Sequence, residues 1–244
     1  FSDIGIGPSI IQSKRGEDEV FLNTAWTIQI LRGFSLWIIC CMIATPLANF
    51  YNISILQYLF PVVSLTLLIR GFQSTAFFTA NRNLKIKILV ILDLTSQIAG
   101  LSVMILWARL EPTIWALAAG ALTTAAFKLL LGFIFLPGHR HRIVLEKSSR
   151  IELIRFGKWI FLSSIMTFFA MQSDKLILGK FVSPALLGMY SIALNFGRLS
   201  NRLIEPIGNK IMFPVYSQKV IRSEFSQQLF HRARQPVVLM AALI

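Results

Sequence analysis

The chain has 244 residues, of which 55% are hydrophobic and only 14% are charged. A soluble domain carries nearer ~25% charged residues, so composition excludes a soluble globular protein and predicts an all-α, polytopic transmembrane helical bundle. The formal net charge of +13 would favour nucleic-acid binding in a soluble chain. In an apolar chain the positive-inside rule accounts for it, and no nucleic-acid partner is expected.

Apolar segments longer than the ~20 residues that cross a bilayer follow one another along the chain. Residues 1–11 look like the tail of an earlier segment, and another segment begins near Arg234. Between them we predict six helical segments, A to F, at residues 23–50, 55–80, 84–107, 112–136, 154–182 and 185–216. Helix-breaking residues are Pro61 in segment B and Pro206, Gly208 and Pro214 in segment F. The three in F predict a bend of that segment near one membrane face. We expect the chain to be part of a longer protein, because it begins without Met and ends within an apolar run.

Basic side chains are concentrated in every second loop between these segments. These loops contain Lys14 and Arg15; Arg82, Lys85 and Lys87; Arg140, Arg142, Lys147, Arg150, Arg155 and Lys158; and Lys219, Arg222, Arg232 and Arg234. The alternate loops are very short and carry only Arg109 and Lys180. By the positive-inside rule, the basic loops face the cytoplasm.

Two cytoplasmic stretches differ from the spans. The loop at residues 137–151 is polar and basic and begins with Pro-Gly, which predicts a linker between a first helical unit, residues 1–136, and a second, residues 152–244. Ile221, Phe225 and Leu229 recur at every fourth position in a polar stretch. This pattern predicts an amphipathic helix on the membrane surface, with a plain loop as the alternative.

Charged residues also occur inside the predicted spans. They are the basic residues Arg32, Arg70, Lys128, Lys175, Arg198, Arg202 and Lys210 and the acids Asp93, Asp174 and Glu205, with Asp3 in the first partial segment. Each such charge costs at least ~2.5–3.5 kcal/mol on insertion scales, so these residues usually face a bundle interior or a wet cavity. Counting ~1.5 Å per residue places Arg32, Arg70, Asp93, Lys128 and Arg198 near mid-membrane or in its inner half.

Arg70 and Asp93 lie at matching depth on consecutive antiparallel segments, which predicts a salt bridge between them. Arg32, Lys128 and Arg198 have no equally obvious partner, although Lys128 is close enough to the interface to snorkel. A positively charged internal cavity fits this set, with scattered pairs and snorkelling side chains as the alternative.

In "SDKLILGKF", residues 173–181, an acid and a base stand side by side near the outer end of segment E. Neighbours in a helix point ~100° apart, so Asp174 and Lys175 are not expected to pair with each other. We expect one to face the bundle interior and the other the lipid–water interface. Elsewhere, Cys40 and Cys41 act as small apolar residues, and "HRHR" is a solvated basic loop, so neither a metal site nor a cofactor is expected.

Several stretches in order resemble a known family. They are "DIGIGPSIIQSK" at residues 3–14, "ATPLANFYN" at 44–52, "RFGKWIFLSS" at 155–164, "SDKLILGKFVSPALLGMYSIALNF" at 173–196 and "IMFPVYSQ" at 211–218. The ordered set resembles the lipid-linked oligosaccharide flippases, or polysaccharide transporters, of the multidrug/oligosaccharidyl-lipid/polysaccharide exporter superfamily. This resemblance implies a MATE-like fold of two helical lobes, with the chain running from the end of family helix 2 to the start of helix 9.

The resemblance further implies a transporter and not an enzyme, located as a multi-pass protein in a bacterial-type cytoplasmic (inner) membrane. It would flip a polyprenyl-diphosphate-linked oligosaccharide for cell-surface polysaccharide synthesis, by alternating access through a cationic cavity. The residues expected to bind substrate are Arg32, Arg70, Lys128 and Arg198, and those expected to couple an ion or to act structurally are Asp93 and Asp174. The expected partners are the lipid-linked glycan, the bilayer and other membrane proteins of polysaccharide assembly.

Three alternatives remain open at this point. An integral-membrane polymerase or ligase would need acids, histidines or long loops at its outer face, where the loops here are very short. A drug or cation exporter of the same superfamily would favour an acidic cavity. A purely structural membrane subunit is the third.

Overall fold

The structure, a computed structural model, describes residues 5–136 and 141–197. Within these ranges the regular secondary structure is entirely helical. The helices are α1 (Ile6–Gln12), α2 (Glu19–Tyr51), α3 (Leu56–Gly71), α4 (Ala76–Arg82), α5 (Ile86–Leu110), α6 (Trp115–Phe135), α7 (Lys147–Phe181) and α8 (Pro184–Gly197).

In this part of the chain, α2, α5, α6 and α7 are each long and apolar enough to cross a membrane, and the bent pair α3 and α4 makes five if the two are taken as one span. These helices match predicted segments A to E, which confirms the all-α, polytopic class. Of segment F, the described residues include only α8. The predicted bend in F, the amphipathic surface helix and the last apolar segment all lie outside the described residues.

Predicted segment B is not one continuous helix. Its two halves, α3 and α4, meet at a bend of 62° that falls after Gly71, and Pro61 remains inside α3. The buried Gln29 of α2 decides the place of the break, because its Nε2 donates to the carbonyls of Arg70 (3.0 Å), Gly71 (3.2 Å) and Gln73 (3.0 Å). A side chain on a neighbouring helix thus satisfies the carbonyls that the helix end leaves without partners.

The residues between α3 and α4 find further partners. Trp26 Nε1 donates to the Phe72 carbonyl at 3.2 Å, and the backbone N–H of Ala76 donates to the buried Ser74 Oγ at 3.0 Å. Irregular backbone at membrane depth is tolerated where protein groups satisfy it. The break is therefore fixed by α2, which explains why the proline pattern of segment B did not predict its position.

Glycines set two of the helix–helix contacts. A Cβ built on Gly33 of α2 would lie 2.9 Å from the Leu67 carbonyl oxygen of α3 and 3.1 Å from Gly71 Cα. A Cβ on Gly100 of α5 would lie 2.6 Å from the Gly120 carbonyl oxygen of α6. Such distances exclude a side chain, so both pairs use the small-residue packing that lets membrane helices approach closely.

The predicted linker is not a free tether where the structure describes it. Residues 141–146 are not helical, and the backbone N–H groups of alternate linker residues donate to side chains of α2: Arg142 to Asn23 Oδ1 (3.0 Å), Val144 to Thr27 Oγ1 (3.1 Å) and Glu146 to Thr24 Oγ1 (3.2 Å). All three acceptors are buried. Both neighbouring helices are longer than predicted, since α2 begins at Glu19 and α7 at Lys147. The division of the chain into two lobes stays a prediction.

Candidate functional site

An ion pair joins α5 to α6 inside the predicted membrane region. Lys128 Nζ lies 2.5 Å from Asp93 Oδ1, and the Phe77 ring of α4 lies on another side of the ammonium group, 5.3 Å from centroid to Nζ. Both charged residues lie about two helical turns, or ~10 Å, from the ends of their helices that the sequence predicts to face the cytoplasm. Their side chains are 35% and 22% exposed, so the pair is partly screened from its surroundings.

The predicted salt bridge between Arg70 and Asp93 is wrong, because the structure pairs Asp93 with Lys128. The physical reason is helix packing: α5 lies against α6 through Gly100 and Gly120, while α3 packs on α2 and α6. Matching depth on consecutive helices therefore did not identify the residue that pairs with Asp93. Snorkelling likewise does not describe Lys128, whose ammonium group is held between a carboxylate and an aromatic ring.

Arg70 and Lys128 line the same cavity, of about 210 Å³, between α3 and α6. Gln73 and Thr124 supply further polar groups to its lining. The sequence placed both basic residues at similar depth, and the structure brings them to one site. Gln73 and Thr124 were not predicted from the sequence as lining residues. Thr124 lies one turn before Lys128 on α6, and this spacing could have indicated it.

Arg32 lies near this site on a different helix. It is partly buried on α2, directly before Gly33, and Arg70 directly precedes Gly71, which Gly33 contacts across the α2–α3 crossing. The two arginines therefore flank one close helix contact. The 210 Å³ cavity is lined by residues of α3 and α6 and by Gln73 between α3 and α4, and Arg32 is not among the lining residues. Arg198 lies outside the described residues.

Asp174 joins α7 to α8. Its Oδ2 accepts a hydrogen bond from the Tyr190 hydroxyl at 2.7 Å, and its Oδ1 accepts one from the Lys175 backbone N–H at 2.8 Å. The acid in "SDKLILGKF" thus faces a neighbouring helix. Tyr190 was not singled out in the sequence, because nothing local relates it to Asp174.

A network of charges ties the loop before α2 to the start of α7. Arg15 Nη2 lies 2.8 Å from Asp18 Oδ2 and 3.0 Å from Glu146 Oε2, and Ser149 Oγ also bonds to Glu146 Oε2. The hydrogen bonds from Ser149, Arg15 and Ser148 lower the pKa of Glu146 from its ordinary 4.5 to about 2. Arg15 lowers the pKa of Asp18, and its own pKa is raised by the same bond. This network was not predicted from the sequence.

His141 of the linker packs against aromatic side chains. His141 Nε2 lies 3.0 Å from Ser74 Oγ, and its ring makes edge contacts with Trp26 and Phe133 at centroid distances of 5.1 and 5.2 Å. Within residues 5–136 and 141–197, no group of three or more His, Cys, Asp or Glu side chains is placed to hold a metal ion. His141 instead connects the linker to the break between α3 and α4.

Comparisons with known proteins agree with this membrane architecture. Residues 1–242 match the family model described as polysaccharide biosynthesis protein. The chain is 22% identical over 220 residues to the lipopolysaccharide biosynthesis protein WzxC of Escherichia coli (strain K12), covering 89% of this chain and 44% of the relative. It is 22% identical over 244 residues to the succinoglycan biosynthesis transport protein ExoT of Rhizobium meliloti (strain 1021), covering 98% of this chain and 48% of the relative.

A third relative comes from a different kind of bacterium. The teichuronic acid biosynthesis protein TuaB of Bacillus subtilis (strain 168) is 20% identical over 229 residues, covering 91% of this chain and 47% of the relative. The chain thus spans about half the length of these curated relatives. No solved structure matches the chain.

Proposed function

The chain belongs to the polysaccharide biosynthesis protein family, and on that premise we propose that it forms part of a membrane transporter that flips a polyprenyl-diphosphate-linked oligosaccharide across the cytoplasmic membrane. The family match and the several membrane-spanning helices support a transport role in polysaccharide synthesis. The printed name of the Rhizobium relative is that of a transport protein, and the other two names refer to the biosynthesis of lipopolysaccharide and of teichuronic acid. The lipid-linked form of the substrate is the part of the proposal that goes beyond these names.

The observation that carries the proposal is the cavity that Arg70 and Lys128 share. A diphosphate headgroup cannot enter hydrocarbon without replacing its hydration and its counterions. A guanidinium group matches a phosphate oxygen pair with two parallel hydrogen bonds, and an ammonium group supplies a compact charge beside it. A cavity of about 210 Å³ has room for phosphate groups but not for an oligosaccharide. We assign it to the diphosphate, and the glycan to a larger space between the two expected lobes.

The remaining predicted residues have defined places in this proposal. Arg32 and Arg198 come from the two expected lobes and would contact the diphosphate from the central space, while Lys128 and Arg70 hold it at the wall. Asp93 sets the position of the Lys128 ammonium group through their ion pair. Asp174 is a structural or ion-coupling residue at the α7–α8 contact. Translocation needs no covalent step, so no catalytic residue is assigned.

One observation disfavours the cation-exporter alternative. Such a transporter needs an acid whose charge is available to its cargo, whereas in the described spans Asp93 pairs with Lys128 and Asp174 accepts a hydrogen bond from Tyr190. Against the polymerase or ligase alternative, the outer connections between the described spans are short, at residues 52–55, 111–114 and 182–183.

A flipping assay tests the proposal. The protein is reconstituted in liposomes with a fluorescent polyprenyl-diphosphate oligosaccharide, and the fraction of lipid that reaches the opposite leaflet is measured over time. We expect Arg70→Gln and Lys128→Gln each to slow flipping about tenfold or more, as loss of ~1.5–3 kcal/mol of charged hydrogen bonding predicts. The control is Arg109→Gln, which removes a basic residue from the outer end of α5. Wild-type protein that leaves the lipid in its original leaflet would refute the proposed function.

A further inference from the structure

Helix α7 contacts α2 or its preceding loop at two places about 35 Å apart along α7. We name the cytoplasmic one the inner contact. It consists of Leu153, buried with Phe21 and Leu22, and of the bonds from Arg15 to Glu146. The Ser13 hydroxyl adds a 2.7 Å hydrogen bond to Glu152, and the docked linker residues continue the same contact.

The second place, which we name the outer contact, lies at the opposite ends of both helices. The Tyr51 hydroxyl donates to the Leu176 carbonyl at 3.1 Å. Lys180 Nζ donates to the Phe50 carbonyl and lies 4.6 Å from the centroid of the Phe50 ring. Gly179 allows this approach, because a Cβ there would lie 3.2 Å from Tyr51 Cε1.

The two contacts differ in what their separation would expose. At the inner contact, Phe21 is 0%, Leu22 2% and Leu153 4% exposed, and the Thr24 hydroxyl that accepts from the linker is also fully buried. Separation there would bring apolar side chains into water and leave buried polar groups without partners. At the outer contact, Phe50 is already 55% exposed and the bonds are two surface hydrogen bonds. Exposed bonds of this kind exchange readily with water.

From this asymmetry we infer that the inner contact is a pivot and the outer contact a latch. When the latch opens, α7 tilts away from α2 about its cytoplasmic end, while the linker and the start of α7 stay fixed to α2. A tilt of about 10° over about 35 Å displaces the outer end by about 6 Å. The conformation described here has the latch closed.

With this pivot, the boundary between the moving part of the chain and the part fixed to α2 lies within α7 and not at the linker. Residues 142–146 and the first turns of α7 move with α2, although the sequence places α7 in the second lobe. The movement that opens an outward path then begins above the inner contact. The role of this movement in glycan export rests on the proposed function, whereas the movement itself does not.

Distance measurement between spin labels in proteoliposomes tests the pivot directly. One pair, Asn49→Cys with Ile177→Cys, reports on the outer ends, and a matched pair, Val20→Cys with Ile154→Cys, reports on the inner ends. All four positions are exposed, and Cys40→Ser and Cys41→Ser remove the native thiols. The latch is opened with Gly179→Leu, whose side chain meets Tyr51. We expect the outer distance to increase by about 6 Å while the inner distance is unchanged.

Two results would overturn the inference. One is an outer distance that stays the same in Gly179→Leu and also in Tyr51→Phe combined with Lys180→Ala. The other is an inner distance that lengthens together with the outer one. Because these distances do not depend on what is transported, they separate failure of the pivot from failure of the proposed function. In cells, a disulfide between Tyr51→Cys and Gly179→Cys should abolish glycan export, and reduction should restore it.

Discussion

The ammonium group of Lys128 on α6 lies 2.5 Å from the carboxylate of Asp93 on α5, so the pair joins the two arms of one helical hairpin. This pair neutralises the acid in the inner half of the predicted membrane region. It also holds one of the two basic side chains that line the cavity between α3 and α6.

The pair predicts a specific double-mutant result. Asp93→Asn should lower the stability of the protein in micelles, because it leaves the partly buried Lys128 charge without its carboxylate. Combining it with Lys128→Met should recover part of the loss, with a coupling free energy of about 0.5–3 kcal/mol in denaturant unfolding. The control is Asp93→Asn with Arg70→Met, whose effects should add. Coupling with Arg70 in place of Lys128 would contradict the structure.

The charge network of Arg15, Asp18 and Glu146 predicts a loss of stability in acid. The pKa of Glu146 is lowered from 4.5 to about 2, so its bonds to Arg15, Ser148 and Ser149 contribute fully above pH 4.5 and are lost as the pH falls towards 2. Asp18, whose pKa Arg15 also lowers, shares the direction of this effect. We expect Tm in micelles to fall over this range in the wild type and to fall less in Glu146→Gln. Glu111→Gln, in an outer loop, is the control and should keep the wild-type pH profile.

The contact between Asp174 and Tyr190 predicts different results for two substitutions. If the carboxylate only positions α7 against α8, Asp174→Asn keeps an acceptor for the Tyr190 hydroxyl and should retain most glycan export. Tyr190→Phe should then lower the free energy of unfolding by about 1 kcal/mol, the contribution of one lost hydrogen bond. If Asp174 titrates during transport, Asp174→Asn should stop export at an unchanged protein level. Export and protein level measured together in both variants decide between the two roles.

The proposed diphosphate contacts of Arg32 and Arg198 predict the effect of removing each guanidinium. Arg32→Ala and Arg198→Ala should abolish glycan export while the protein stays in the membrane. Arg→Lys at each position should restore only part of the export, because lysine keeps the charge but loses the planar fork. Near-normal export in both alanine variants would leave the central cationic space without chemical support.

Composition and the pattern of apolar segments established the class of the protein and most of its spans. Long apolar segments form helices in lipid, because a helix satisfies its own backbone hydrogen bonds. This located α2, α5 and α6 to within a few residues, whereas α7 begins at Lys147, inside the predicted linker. The same reasoning placed Arg70, Asp93 and Lys128 at similar depth, because depth depends only on the rise per residue. The family resemblance in ordered motifs was confirmed by the match over residues 1–242.

Only the tertiary structure decided which of these residues meet. Depth says nothing about rotation or neighbourhood, so the partner of Asp93 followed from the close approach of α5 and α6 at Gly100 and Gly120. The break after Gly71 depends on Gln29, a residue some forty positions earlier whose amide reaches three carbonyls. The docking of the linker on Asn23, Thr24 and Thr27 likewise joins segments far apart in sequence. Such contacts depend on which helix faces pack together, and no local stretch of the sequence specifies that choice.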